Sequence, residues 1–70
     1  MGMLKNSIYM VTFPGGKTES GPKNMLIDEV YRWVRLYYSF GPEQAYSFCK
    51  RLERHRRTGG FWLRHVGIGG

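Results

Sequence analysis

Cysteine is all but missing from this chain. Cys49 stands alone, so no disulfide can form within the molecule. That fits a reducing, cytoplasmic setting and not a small secreted scaffold. Acids are scarce too, with five Asp and Glu against eleven Lys and Arg, a formal charge of +6. So few carboxylates, none paired in an evident cleft, argue against nuclease or metal-assisted hydrolytic chemistry. The chain reads as a binding module and not an enzyme, with no cofactor implied. Long apolar runs are lacking as well. Nothing approaches the roughly 20 residues of a membrane span, and Lys5, Asn6 and Ser7 interrupt the start where a signal peptide would need an apolar region. No membrane association is expected. Internal repeats and low-complexity segments are also absent.

The chain is rich in rings. Eleven of its 70 residues are Phe, Tyr or Trp, more than a domain of this size can enclose, so some should lie on the surface or in an interface. A chain this short forms one domain at most. It buries only about 60% of its unfolded surface, which leaves its stability marginal.

Residues 7–20 read as a strand and a hairpin. Ser7 to Phe13 is β-branched and aromatic, with Ile8, Met10 and Thr12 alternating against Tyr9, Val11 and Phe13. Pro14-Gly15-Gly16 turns the chain, and Lys17 to Ser20 returns it. A helix is expected over 25–39, capped by Asn24, with Leu26, Ile27, Val30, Trp33, Val34 and Tyr37 on its apolar side. Gly41-Pro42 separates it from a second helix over 42–55, whose stripe is Ala45, Phe48, Cys49 and Leu52. After Thr58-Gly59-Gly60, residues 61–66 read as a strand and 67–70 as a loose tail. The expected fold is α+β: two amphipathic helices on a two- or three-stranded antiparallel sheet, with the first and last strands paired.

Positive charge is concentrated near the end. Residues 1–49 sum to +1 and residues 50–70 to +5. Lys50, Arg51, Arg54, Arg56, Arg57 and Arg64 make up this tract, with Glu53 as its one acid. Such a local field faces a polyanion or an acidic protein surface. Lys50, Arg51, Arg54 and Arg57 recur at intervals that place several on one side of a helix, where they can follow a phosphate backbone. Trp62 and Tyr46 are the rings placed to stack on bases. The leading function is therefore nucleic-acid binding, to RNA or DNA, through residues 50–64. The alternative is a small inhibitor or adaptor, of the kind phages and mobile elements carry, that docks on an acidic surface of a larger nucleic-acid-handling protein. A third class is a structural subunit of a ribonucleoprotein.

Several sharper motifs give way to plainer readings. Gly15-Gly16-Lys17-Thr18 echoes the end of a phosphate-binding loop, but Val11 stands where the pattern needs Gly, and a hairpin turn explains it. Helix–turn–helix recognition would need a third packing helix and bases nearer the start of the second helix. His55 and His65 lack metal-ligand spacing with Cys49, which reads as a buried structural thiol. The surplus rings of the first helix, Tyr31 and Tyr38 with Phe40, offer a contact surface for a partner or a second copy of the chain.

Overall fold

A computed structural model describes residues 6–69. Its elements run β1 (Asn6–Thr12), β2 (Thr18–Gly21), α1 (Lys23–Tyr37), α2 (Pro42–His55), β3 (Arg57–Thr58) and β4 (Phe61–Gly69). The fold is α+β, with both helices on one face of an antiparallel sheet of order β2-β1-β4-β3. The first and last strands pair in the middle of the sheet, as expected. The sheet has four strands because a two-residue strand, β3, adds to one edge.

Side-chain alternation along β1 and β4 makes two unlike faces. On the helix side, Val11 sits opposite Leu63, and both are buried. Phe13 and Phe61 join them, and α1 supplies Leu26, Val30 and Val34, α2 supplies Ala45, Cys49 and Leu52. Phe61 is the central ring. Its centroid lies 5.2 Å from Trp33, 5.4 Å from Phe13 and 5.4 Å from Phe48. Edge-to-face contacts of this kind add to the burial term. The expected helix stripes face the core, with Ile27, Trp33 and Phe48 half-buried at its margin, but Tyr37 is 64% exposed. It lies against Trp33 at 4.7 Å instead of entering the core.

Helix ends differ from the expectation at α1. The helix begins at Lys23, and the carbonyl of Pro22 accepts from the N–H groups of Met25 and Leu26. Asn24 is therefore inside the first turn and not the cap. Proline's fixed φ starts the helix earlier than a side-chain cap at Asn24 would. The helix ends at Tyr37 and not Ser39, because Ser39 turns left-handed (φ 58°) and lets the Phe40 N–H bond the Val34 carbonyl. The α2 bounds are those expected, with Pro42 at the start.

Both hairpins use glycine where the backbone demands it. Gly59 and Gly60 have φ of 53° and 88°, the two positive values that a two-residue turn between paired Thr58 and Phe61 needs. Gly15 and Gly16 also take positive φ in the longer connection between β1 and β2, closed by the Phe13 N–H on the Lys17 carbonyl, so the Gly-Gly-Lys-Thr segment belongs to a hairpin turn. The expected loose tail is not one: β4 continues through Gly69, opposite Asn6, after a bulge that leaves Val66 unmatched. Lys5 and Gly70 lie outside the described residues. Two helices resting on a sheet, with no third helix among the described residues, is not a helix–turn–helix domain. No helix among those residues is long and apolar enough to cross a membrane.

The core makes a direct prediction. Phe61→Ala should cost about 3–5 kcal/mol and Leu52→Ala about 2–5 kcal/mol. Leu36→Ala, at a site 69% exposed, should stay within about 0.5 kcal/mol. Urea unfolding of the three variants checks this; equal midpoints would show that the assigned core is wrong.

Candidate nucleic-acid interface

The basic tract does not form one patch. A backbone reversal divides it. α2 ends where Arg56 takes a left-handed conformation (φ 69°) and its N–H bonds the Leu52 carbonyl. The chain then turns into the sheet, and the Leu63 N–H bonds the Arg56 carbonyl at 2.7 Å. Neighbours in sequence therefore reach different surfaces.

The first surface is the outer side of α2. Tyr46, Lys50 and Arg54 form one row at intervals of four, and Ser47, Arg51 and His55 form the next. Together they line a shallow groove of about 480 Å³ that no acid enters. Tyr46 is 59% exposed, and the Lys50 ammonium lies 5.4 Å from its ring centroid. Arg57 continues the spacing of Lys50, Arg51 and Arg54 in sequence but falls beyond the expected helix end at residue 55. It lies in β3, because the Arg56 reversal has already ended the helix.

The second surface is the sheet face turned away from the helices. Thr18, Thr12, Trp62 and Arg57 form one row across all four strands, and Ser20, Met10 and Arg64 form the next. The guanidinium carbons of Arg57 and Arg64 lie 4.5 and 4.3 Å from the Trp62 ring centroid. Both are within cation–π range. Arg64 also directs an N–H at the Met10 sulfur, while its Nε is buried without a hydrogen-bond partner. No acidic side chain stands in either row.

Arg56 goes to neither surface. Its guanidinium lies 5.6 Å from the Tyr9 ring, on the helix side of the sheet. Lys23 approaches the same ring at 5.8 Å, and His65 meets it edge-on at 5.1 Å.

The ion pairs among the described residues involve other cations, although Arg35 of α1 also forms none. Lys17 pairs with Glu19, Lys23 with Glu53 and Arg32 with Asp28. Among the described residues, Lys50, Arg51, Arg54, Arg56, Arg57 and Arg64 form no ion pair. The rings singled out in and just after α1 all touch the interior, though Tyr38 remains 38% exposed. Tyr38 packs on Trp33, Phe40 and Phe48, and its hydroxyl donates to the Gly59 carbonyl, bracing the β3–β4 turn. Tyr31 is half-buried against the core. The exposed apolar side chains of α1 are instead Met25, Leu36 and Tyr37. Sequence reasoning missed the pairing of Arg57 with Trp62; the spacing of these residues around Gly59-Gly60 was its one available signal.

Metal chemistry has no cluster to use: among the described residues, no group of three His, Cys, Asp or Glu could hold an ion. Cys49 is buried, and its thiol contacts the Ile27 carbonyl at 3.7 Å. Burial, with Glu53 and Asp28 nearby, raises its pKa from 9.0 to about 11. A raised pKa favours the neutral thiol in the folded state. Its contribution to stability is complete below pH 9 and is lost as pH rises towards 11. Urea unfolding between pH 8 and 11 should therefore fall more steeply for the native sequence than for Cys49→Ala. Parallel pH profiles would contradict the buried neutral thiol.

Comparison with protein-family models, with curated proteins and with solved structures finds no match to this chain.

Proposed function

We propose that this protein is a small non-enzymatic nucleic-acid-binding module. The observation that carries the reading is the set of six basic side chains between residues 50 and 64 that form no ion pair among the described residues. Glu19, Asp28 and Glu53 are matched to cations outside this set. Cations at this density repel one another, a cost that an anionic partner relieves.

The outer side of α2 supplies the sequence-independent part of the binding. Lys50, Arg51 and Arg54 are exposed and stand about one helical turn or one residue apart. A phosphate backbone is a row of anions that such spacing can follow, and arginine adds forked, bidentate contacts. Tyr46 beside Lys50 gives the groove an aromatic wall. The same cations would meet an acidic protein surface, which is the competing reading. A cytoplasmic setting agrees with the single, buried Cys49.

Salt dependence tests the proposal. If three cations of α2 neutralise phosphates of a duplex, log affinity should fall linearly with log salt with a slope of about −3. Arg51→Glu with Arg54→Glu should flatten the slope by about two units and leave the melting temperature near that of the native chain, since both side chains are exposed. Affinity indifferent to salt, or retained by the double variant, would overturn the reading.

A further inference from the structure

We infer that the open sheet face is a second binding site, separate from α2, and that it takes the unpaired bases of a single-stranded nucleic acid. This inference rests on the nucleic-acid reading above and adds to it the form of the ligand and the number of sites.

Three observations carry it. The face is uncovered: both helices lie on the other side of the sheet, and every buried side chain of β1 and β4 points to them. The face is also cationic without a counter-charge. Arg57 and Arg64 stand on it, no acid shares their rows, and neither forms an ion pair. Finally, its centre is a preorganised stack. Trp62 is directly opposite Arg57 in the β3–β4 register and two residues from Arg64, so all three project from the same side. Both guanidinium carbons lie within 4.5 Å of the indole centroid.

That arrangement suits unpaired bases more than a duplex. Bases stack on aromatic rings and on guanidinium planes, and single strands offer both faces of each base while a duplex offers neither. Arg57 is exposed and its donors can reach phosphates between the stacked bases, while Arg64 is partly buried and held beside the ring by its contact with the Met10 sulfur. Thr12, Thr18 and Ser20 add hydroxyls across the same rows. An extended acidic peptide would satisfy the charge but would leave the stack without planar partners. Because α2 faces away from the sheet, the two surfaces can be occupied together. The protein would then join a backbone held on the helix to a single strand held on the sheet.

Two labelled probes test this: an oligothymidylate of about twelve nucleotides and a duplex of similar length. Trp62→Ala should weaken oligothymidylate binding about tenfold or more and change duplex binding little. Trp62→Phe should restore much of the loss. Arg57→Glu, at an exposed edge position, should act in the same direction and guards against a fold defect in the tryptophan variant, which circular dichroism melting also reports. Arg51→Glu with Arg54→Glu should do the reverse, losing duplex and sparing the oligothymidylate. Energy transfer between the two probes in one complex should appear only with the native protein. Competition between the probes, or Trp62 and Arg57 variants that bind oligothymidylate normally, would overturn the inference while leaving duplex binding through α2 intact. Polyglutamate bound in place of oligothymidylate, and lost with the same variants, would overturn it in favour of an acidic protein segment. Failure of the native protein to bind either probe would overturn both readings.

Discussion

The pairing of β1 with β4 is the constraint on which the rest depends. It joins strands about fifty residues apart in the chain and puts Val11 against Leu63 at the floor of the core. Each of these strands carries its own hairpin partner, so one long-range pairing assembles the whole four-stranded sheet. It also sets which side of β4 faces the helices. With Leu63 inward, Phe61 is inward too and becomes the ring around which Phe13, Trp33 and Phe48 gather. Trp62 and Arg64 are then outward by necessity. A one-residue slip would exchange the two sets, burying a guanidinium and exposing a phenylalanine.

The same physics explains how much could be read beforehand. Helical periodicity is a strong local signal, so both helices and the buried Ala45, Cys49 and Leu52 were legible from spacing alone. The alternation in Ser7 to Phe13 identified β1 and its two faces, but not which of them is inward. What spacing could not give was decided by long-range pairing. A two-residue strand such as β3 has no periodicity, and it exists only because β4 lies beside it. Gly67 to Gly69 looked like a tail because glycine has no strand propensity; its pairing with residues 6–8 holds it in the sheet. Tyr38 looked like a surplus ring until the Gly59 carbonyl came within reach of its hydroxyl.

The basic tract shows the limit most clearly. From sequence it was one patch, because charge density along the chain says nothing of direction. The left-handed turn at Arg56 is what separates it. Before this residue the cations stand on the outer side of a helix; after it they stand on the far face of a sheet. Arginine in that conformation is uncommon, since the left-handed region brings Cβ too close to the following carbonyl oxygen. The cost is accepted here at the one position where the chain passes from one layer to the other. In the proposed function, this single reversal turns a linear run of charge into two surfaces of different character. One is a row of flexible cations suited to phosphates. The other is a fixed stack of indole and guanidinium suited to bases.

The most direct measurement of that division is residue-resolved. Nuclear magnetic resonance signals of the Trp62 indole N–H, the arginine Nε–H groups and the backbone amides can be followed as a single strand and then a duplex are added. The account predicts that the single strand moves Trp62, Arg57 and Arg64 first and leaves the α2 amides near Lys50, Arg51 and Arg54 in place. The duplex should then move the α2 signals with the single strand still bound. Shifts that follow one surface for both ligands, or that spread over residues 50–64 without division, would contradict it.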